Sequence, residues 1–317
     1  MSWGRFLARR MLSLLLVLVV ASLLVYGSLY LAPGGPLAFL VGTRSATPEL
    51  IAQITAQYHL NDPFLVRYAN WLSDVVHGDL GRSLVYREAE TSLIISRIPT
   101  TLLLVIYSTI LILVIGLGTG IWGALRQRTV GRAVTAWNVA FLSTPAFVLG
   151  ALLILVFALK LAWFPVYGPG SGVLDRLWHL TLPAVALAMS SAAYLSRISG
   201  ASINAELMKE HVETAFSRGL PRRLVIRRHV LRNASIPVIT VVGLTIAGLV
   251  AGTVVVENVF ALDGLGSLLV RAILQRDYAV VQAVVLLLAI VFVLVNLVVD
   301  VLYSFVDPRI SLDGGAQ

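Results

Sequence analysis

The sequence of 317 residues contains no cysteine and has few charged side chains. The first absence excludes disulfides, thiolate nucleophiles and cysteine-based metal sites. The second is more informative, because charged residues make up 13% of the chain, hydrophobic residues make up 58% and the mean hydropathy is +0.89. A soluble domain of this composition would have more apolar surface than it could bury. The composition therefore predicts an integral membrane protein.

Motifs for nucleotide binding and catalysis are also missing. No G-x-x-x-x-G-K-[ST] segment is present, and neither of the two lysines, Lys160 and Lys209, follows a phosphate-binding glycine loop. The five histidines are scattered without an H-E-x-x-H pair, and the G-x-S-x-G pattern is absent. The chain is therefore not expected to be an enzyme, since a membrane-embedded enzyme would need a nucleophile or metal cluster that the sequence does not display.

Six apolar segments meet or approach the length of about 20 residues that a helix needs to cross the ~30 Å hydrocarbon layer. They run roughly over residues 11–31, 101–125, 133–159, 182–195, 236–256 and 280–306. The fourth is the weakest and contains Ser190, Ser191 and Tyr194, so we expect it to face protein or a cavity more than lipid. The sequence predicts an all-α integral membrane protein with six transmembrane helices.

Basic residues between these spans predict the orientation of the chain. Clusters of arginine precede the first span and separate the second from the third, and a longer basic segment separates the fourth from the fifth. If the chain crosses six times, all three lie on one side, which the positive-inside rule makes the cytoplasm, with both termini. This orientation accounts for the net charge of +8 without a nucleic-acid partner. A cleaved signal peptide is the alternative at the N-terminus, but its apolar core of ~7 to 15 residues would be shorter than this one.

Few ionisable groups lie inside the predicted spans. The second, third and fifth contain none in their interiors, and the sixth contains only Asp300, near its cytoplasmic end. Asp300 is interpreted either as a gate or as a carboxylate that is paired at the inner interface. Pumps and ion-coupled secondary carriers usually need more such groups within the bilayer. Energy for transport is therefore expected to come from outside this subunit.

Other polar groups in the third and sixth spans are candidates for a translocation path. With Asp300, they are Asn138, Ser143, Thr144 and Asn296. These residues either line a wet cavity or form hydrogen bonds between helices, and the pattern favours neither. The G-x-x-x-G spacings from Gly116 and from Gly248 predict closely packed helices, with pore lining as the alternative.

Residues 33–98, between the first two spans, are predicted to form a small helical extracytoplasmic insertion. Thr47-Pro48-Glu49 and Asp62-Pro63 are typical helix starts. After the second, an amphipathic helix that ends at Gly78 is predicted, with an apolar face formed by Leu65, Tyr68, Ala69, Leu72, Val75 and Val76. The insertion is interpreted as a scoop, a lid or simple packing. A second external segment, residues 160–181, carries Trp163, Tyr167 and Trp178, which are typical of an interfacial aromatic belt.

The basic segment at residues 200–235 is predicted to be a structured cytoplasmic loop. It contains Gly219 and Pro221, which favour the end of one helix and the start of another. If residues 205–218 are helical, one face carries an apolar stripe formed by Met208, Val212, Ala215, Phe216 and Gly219. The stripe predicts a face that enters a partner's groove, with Phe216 as a buried anchor. A helix that lies on lipid headgroups is the alternative.

This loop resembles the EAA motif of ABC importer permeases, and the chain resembles the B-type permease subunit of the dipeptide, oligopeptide and nickel importer family. The resemblance extends from the first span to about residue 310. It rests on ordered short motifs: Leu31-Ala32-Pro33-Gly34-Gly35-Pro36, Tyr58-His59-Leu60-Asn61-Asp62-Pro63, Gly78-Asp79-Leu80-Gly81-Arg82-Ser83, Arg97-Ile98-Pro99-Thr100-Thr101, Thr144-Pro145-Ala146-Phe147, the loop from His211 to Gly219, His229-Val230-Leu231-Arg232-Asn233-Ala234, Glu257-Asn258-Val259-Phe260, Gly264-Leu265-Gly266, Arg276-Asp277-Tyr278 and Asp307-Pro308-Arg309.

The resemblance implies a type I ABC importer permease fold in the bacterial inner (plasma) membrane. The implied partners are a homologous C-type permease, one or two kinds of ATPase subunit that bind ATP and Mg, an extracytoplasmic solute-binding protein and membrane lipid. No cofactor is implied for this chain itself. The implied cargo is a dipeptide or oligopeptide, with nickel or another small solute as the alternative and an ion-coupled secondary carrier as the less favoured one.

The family's ATPase-coupling helix would fall on residues 211–221 of this sequence. The residues are His211, Val212, Glu213, Thr214, Ala215, Phe216, Arg218, Gly219, Leu220 and Pro221. Glu213, Ala215 and Gly219 match the E, the second A and the G of the motif, whereas Thr214 replaces the first A. Gly35 also departs from the family pattern, which usually has an acidic residue there.

Overall fold

The computed structural model describes residues 3–31, 47–57, 60–83, 85–126, 128–168 and 170–306. Several predicted features lie outside these ranges. They are Gly35 and most of its motif, Tyr58 and His59, and the motif at residues 307–309. The side chain of Asp300 is also outside the described part of the chain.

The described residues are mostly helical. In chain order the helices are α1 (Trp3–Leu31), α2 (Pro48–Gln57), α3 (Phe64–Val76), α4 (Glu90–Ile95), α5 (Ile98–Leu111), α6 (Gly118–Leu125), α7 (Arg128–Leu142), α8 (Ala146–Leu153), α9 (Val173–Leu207), α10 (Glu210–Ser217), α11 (Arg222–Val225), α12 (Leu231–Val259), α13 (Leu265–Leu274) and α14 (Tyr278–Val306). Three π-helical segments, Ile112–Leu117, Ile154–Lys160 and Ile226–Val230, continue α5, α8 and α11. An isolated antiparallel bridge joins Arg82 and Ala89.

The chain is a multi-pass membrane protein. Among the described residues, four helical runs are long and apolar enough to cross a bilayer: Met11–Ser28, Glu90–Leu125, Arg222–Val259 and Tyr278–Val298. A fifth span is formed if α7 and the run from Ala146 to Lys160 count as one, although they are bent by 100°. The predicted fourth span lies within α9, which is 35 residues long and is not among these runs. Length and composition of the described helices thus support four or five spans, whereas six were predicted from the apolar segments.

The chain divides into two compact units. The first contains Leu102–Leu262 with the start of α1 and the end of α14. Its hydrophobic core is centred on α9, where Ala184, Ala188, Ala192 and Leu195 are almost fully buried. Small side chains on one helix allow several neighbouring helices to approach it.

Close packing against α9 explains one of the two glycine pairs. A Cβ atom added at Gly116 would lie 2.9 Å from the backbone oxygen of Ala192, and one at Gly120 would lie 2.7 Å from that of Ser196. Neither backbone oxygen can move aside without a shift of α9. The prediction of a close helix crossing is therefore confirmed at Gly116 and Gly120.

The second unit contains Leu7–Thr101 and Asp263–Val293. One cluster in it joins α4, α13 and the start of α14 through buried apolar residues that include Leu93, Leu268 and Val284. Ser83 donates a short hydrogen bond to the carboxylate of Asp277 in the same unit.

The amphipathic helix predicted after Asp62-Pro63 is confirmed as α3, and its contact face matches the predicted one in part, because it includes the predicted Tyr68 together with Trp71, which was not predicted. Tyr68 and Trp71 pack against Tyr26 of α1, with ring centroids 5.7 Å and 5.2 Å away, and the Tyr68 hydroxyl is 2.7 Å from Ser22 Oγ. Leu65, which belonged to the predicted apolar face, is 69% exposed. The aromatic side chains select the face, because they bury more area than Leu65 would.

Candidate functional site

The predicted coupling segment folds as two short helices with a tight turn between them. Helix α10 starts after Lys209, and the turn after it is closed by hydrogen bonds from Gly219 N to Phe216 O (2.9 Å) and from Leu220 N to Ala215 O (3.3 Å). Gly219 has φ +75°, a left-handed conformation that glycine adopts at little cost. Pro221 then precedes α11. The predicted sequence of helix, break and second helix is confirmed.

The boundary before α10 differs from the prediction. The apolar stripe was derived on the condition that residues 205–218 form one helix, whereas α9 ends at Leu207 and α10 begins at Glu210. Lys209 has φ −83° and ψ 144°, an extended conformation that interrupts the helical hydrogen bonds. The chain therefore changes direction at residues 208–209, and α10 is a separate helix of eight residues.

The inner face of α10 packs on this chain itself. Val212 and Ala215 are buried in a cluster with Ile203 of α9, Val225 of α11 and Val230 of the π segment that follows. The prediction that Val212 and Ala215 face a partner is therefore wrong. Spacing alone showed that α10 has an apolar face, but could not show that the nearest apolar surface belongs to the same chain.

The outer face of this segment carries the exposed predicted residues. Met208 is 88% exposed. Phe216, Leu220 and Leu224, which follow it in the sequence, are also exposed apolar side chains. The other exposed members are His211, Glu213, Thr214, Arg218, Gly219 and Pro221, followed by Arg222 and Arg223. An exposed apolar surface with charged residues around it is typical of a contact site for another protein. We call Phe216, Gly219, Leu220 and Leu224 the exposed rim.

Glu206, which lies in the predicted loop but is not among the predicted coupling residues, is the buried ionic centre of the segment. Its carboxylate lies 2.6 Å from Lys209 Nζ, accepts a hydrogen bond of 2.8 Å from Asn233 Nδ2 and lies 3.1 Å from His211 Nε2. Burial raises the pKa of Glu206, but the hydrogen bonds from Lys209 and Asn233 and the charges of Lys209 and His211 outweigh burial and lower the pKa below its usual value. Glu206 is therefore a carboxylate at neutral pH.

A partly open cavity of about 430 Å³ lies within the first unit, and we call it the polar cavity because hydroxyl groups line part of its otherwise apolar wall. It is lined by residues at the break between α7 and α8, by α9 and by α12: Leu142, Ser143, Thr144, Pro145, Ala146, Leu187, Ser190, Ser191, Thr245, Gly248, Leu249 and Gly252. Five of these residues carry hydroxyl groups, which both donate and accept hydrogen bonds. Irregular backbone at membrane depth is tolerated where it lines such a cavity.

The break between α7 and α8 has a local cause. Pro145 lacks an N–H group and disfavours a helical conformation at Thr144, so the helix that contains Leu142 cannot continue. The bend of 100° that results brings Ser143 and Thr144 to the cavity. The Thr144 hydroxyl also donates to Ala140 O at 2.8 Å, which satisfies one carbonyl at the end of α7.

Only some of the predicted path residues line the cavity. Ser143 and Thr144 line the cavity, whereas Asn138 is buried within α7 away from its lining and Asn296 lies on α14. Asp300 lies outside the described side chains. The residues Ser190, Ser191, Thr245 and Gly248 were not among the predicted path residues.

A signal for two of the missed residues was present in the sequence. Ser190 and Ser191 occur in the weakest predicted span, the one expected to face protein or a cavity. Gly248 and Gly252 were assigned to helix packing, and both line the cavity. A Cβ at Gly252 would lie 2.8 Å from Leu187 Cδ1, which supports close packing there, whereas a Cβ at Gly248 would have no neighbour within 4 Å. Within the described part of the chain, no group of three or more histidine, aspartate or glutamate side chains is placed to hold a metal ion.

Comparison with known families covers nearly the whole chain. Residues 112–312 match the family described as binding-protein-dependent transport system inner membrane component. Residues 3–105 match the N-terminal family of binding-protein-dependent transport system membrane components.

Curated relatives cover the chain at similar length. The oligopeptide transport system permease protein AppB of Bacillus subtilis is 36% identical over 313 residues, which are 96% of this chain and 99% of AppB. The glutathione transport system permease protein GsiC of Escherichia coli K12 is 38% identical over 306 residues, which are 96% of this chain and 98% of GsiC.

Solved structures support the fold at lower identity. An inward-facing structure of the methionine ABC transporter MetNI aligns with a TM-score of 0.57 at 19% identity and covers 68% of this chain and 96% of that one. An amino acid ABC transporter solved with histidines aligns with a TM-score of 0.53 at 19% identity, covering 69% and 94%.

Proposed function

This chain belongs to the family of binding-protein-dependent transport system inner membrane components, and we propose that its cargo is short peptides. It is a permease subunit of an ABC importer. The observation that carries the peptide assignment is the identity of 36% and 38%, over nearly the whole chain, to permeases named for oligopeptide and glutathione transport. Glutathione is itself a tripeptide, so both named cargoes share the peptide bond.

The polar cavity is proposed to be part of the translocation path. Each amide of a peptide backbone presents one N–H donor and one C=O acceptor, and a hydroxyl can satisfy either. The hydroxyl groups of Ser143, Ser190, Ser191 and Thr245 therefore suit a backbone of any side-chain sequence, and the hydroxyl of Thr144, which donates to Ala140 O, adds an acceptor. This arrangement fits an importer in which a separate solute-binding protein performs most of the selection.

The exposed rim is proposed to contact an ATPase subunit. On this proposal Val212 and Ala215 hold α10 on its own chain, while the rim and the exposed members Glu213 and Arg218 face the partner. Nucleotide-driven movement of the partner would then displace α10. ATP and Mg belong to the ATPase subunits on this proposal, and this chain holds no cofactor.

The topology and the remaining partners follow the same proposal. Residues 200–235 and both termini lie in the cytoplasm, and the insertion at residues 33–98 lies outside as part of the surface that receives the solute-binding protein. A homologous C-type permease supplies the second half of the pathway. The fold has six transmembrane helices if α9 and the bent pair formed by α7 and α8 each cross once.

The test is uptake by the complete importer in membrane vesicles. Vesicles that contain this chain with its partner permease, ATPases and binding protein are supplied with ATP and with radiolabelled dipeptide, tripeptide or nickel. ATP-dependent accumulation of the peptides is expected, and an excess of unlabelled peptide should compete. ATP-dependent accumulation of nickel alone would overturn the peptide assignment, and accumulation driven by an ion gradient without ATP would overturn the permease mechanism.

A further inference from the structure

We propose that Glu206 is a positioning residue that fixes α10 to the two long helices α9 and α12, so that a displacement of α10 moves both helices together. This inference rests on the proposed role of α10 in coupling and identifies the contacts that would carry the displacement. The experiment that tests this inference distinguishes a failure of the positioning role from an error in the proposed cargo.

The backbone alone gives α10 little orientation. Only Met208 and Lys209 separate α9 from α10, and Met208 is 88% exposed. A two-residue connection with an exposed side chain constrains the distance between two helices more than the angle between them. Besides the backbone bond from Lys209 N to Glu206 O (3.2 Å) and the turn at Gly219, the orientation of α10 therefore depends on side-chain contacts.

The apolar contacts of α10 are strong but not directional. Val212 is completely buried and Ala215 is 6% exposed, both in the cluster that includes Ile203 and Val225. Dispersion and the hydrophobic effect depend on buried area and tolerate rotation or sliding of a short helix. This cluster holds α10 on the chain without determining how a push on it is transmitted.

The contacts of Glu206 are directional and join three elements. Glu206 lies in the last turn of α9 and is only 4% exposed. Its Oε2 lies 2.6 Å from Lys209 Nζ at the start of α10, and its Oε1 lies 3.1 Å from His211 Nε2 within α10. The same Oε1 accepts a hydrogen bond of 2.8 Å from Asn233 Nδ2 in the first turn of α12. Hydrogen bonds to a buried charge are about twice as strong as neutral ones and depend on geometry.

A second contact supports the attachment of α9 to α12. The hydroxyl of Ser202, one turn before Glu206, donates to Ala234 O at 3.0 Å, next to Asn233. The ends of α9 and α12 are therefore joined at two successive levels. The charged side chain adds α10 to this pair.

The helices that Glu206 joins also line the polar cavity. Ser191 lies 15 residues before Glu206 on α9, and Thr245 lies 12 residues after Asn233 on α12. At 1.5 Å per residue these separations are about 22 Å and about 18 Å along the helices. A displacement at Glu206 would therefore reach two walls of the cavity along continuous helices.

The experiment compares transport with ATP hydrolysis in the reconstituted complete importer. Glu206→Ala removes every contact of the carboxylate, and Glu206→Gln keeps the volume and one acceptor but loses the charge. We expect the ratio of peptide transported to ATP hydrolysed to fall at least about tenfold in Glu206→Ala, because every hydrogen bond to the charged carboxylate is lost. The ratio should fall less in Glu206→Gln, because one acceptor is kept. A role limited to stability would lower the amount of assembled importer and leave this ratio unchanged.

Two further variants act as controls. Glu210→Gln removes an exposed carboxylate near the network, and it should leave the ratio as in the unaltered importer. Asn233→Ala should lower the ratio, and the double variant Glu206→Gln with Asn233→Ala should be no worse than the more severe single variant, because both changes open the same network.

The outcomes separate the two proposals. Unchanged ratios in both Glu206→Gln and Asn233→Ala would overturn the positioning role, even if Glu206→Ala does not assemble. A fall in the ratio that is equal in Glu210→Gln would also overturn it, since loss of any nearby charge would then suffice. Failure of the unaltered importer to carry peptide would instead refute the cargo, and the ratio would then be measured with the solute that it does carry.

Discussion

The backbone conformation of Gly219 leads to the sharpest prediction for the exposed rim. Gly219 has φ +75°, and a Cβ added there would meet nothing within 4 Å. Substitution is therefore limited by backbone strain and not by a clash within this chain. A residue with a Cβ in the left-handed region costs roughly 1–2 kcal/mol, and asparagine tolerates this region better than other residues.

The perturbation is a series of variants at this one position. We expect unfolding temperatures in the order glycine, then Gly219→Asn, then Gly219→Ala, then Gly219→Val, because a β-branched side chain is the least compatible with positive φ. A loss of about 1 kcal/mol corresponds to a fall of about 2 °C in a domain larger than 150 residues. Thermal unfolding of the purified importer in detergent measures this order directly.

Binding to the ATPase subunit is measured on the same variants. If Gly219 serves only to end α10, Gly219→Asn should bind the ATPase as well as glycine does. Gly219→Trp should weaken binding while it unfolds near the temperature of Gly219→Ala, because the large side chain would stand in the open space that the partner is proposed to enter. An unfolding temperature for Gly219→Val equal to that of Gly219→Asn would refute the conformational reasoning, and full binding by Gly219→Trp would refute the contact.

Three further predictions concern packing, the cavity and pH. Gly120→Leu should greatly reduce the amount of assembled protein, because its Cβ would lie 2.7 Å from the backbone of α9. Gly118→Ala should not reduce it, because a Cβ at Gly118 would meet nothing within 4 Å. Expression level and thermal unfolding of the two variants check this prediction. Thr245→Val should reduce peptide uptake severalfold without altering ATPase binding, and Thr240→Val, an exposed position on the same helix, should leave uptake unchanged. The pKa of the Glu206 carboxyl is lowered from 4.5 in the folded state. The stabilisation from its charged contacts is therefore present above that value and is lost as the pH falls through the lower pKa of the folded state. The difference in unfolding temperature between wild type and Glu206→Gln should disappear in that acidic range.

Helical segments with strong local signals were predictable. The turn at Gly219 and Pro221 was recognised because a left-handed glycine and a proline at a helix start are local requirements. The helix after Asp62-Pro63 was recognised for the same reason. Helix boundaries without such residues were not predictable. The interruption at Lys209, for example, lies in an ordinary charged sequence with no glycine or proline.

The direction of an apolar face was not predictable from spacing. The stripe on α10 was assigned to a partner, but Val212 and Ala215 cover the chain's own cluster, while Phe216 is 40% exposed. On α3 the aromatic side chains, and not Leu65, contact α1. Periodicity identifies that a face is apolar, and its contact depends on which surface lies nearest in three dimensions.

Local properties of the sequence by themselves determined that this chain is a helical membrane protein, because apolar length and charge placement do not depend on distant residues. The ordered short motifs, which are also local, carried the resemblance to ABC importer permeases. Only the tertiary structure decided which side chains meet. It brought Ser143, Ser190 and Thr245 to one cavity from three separate segments, and it joined Glu206 to Asn233 across 27 residues. Such contacts depend on how helices far apart in the chain pack together, which no local pattern specifies.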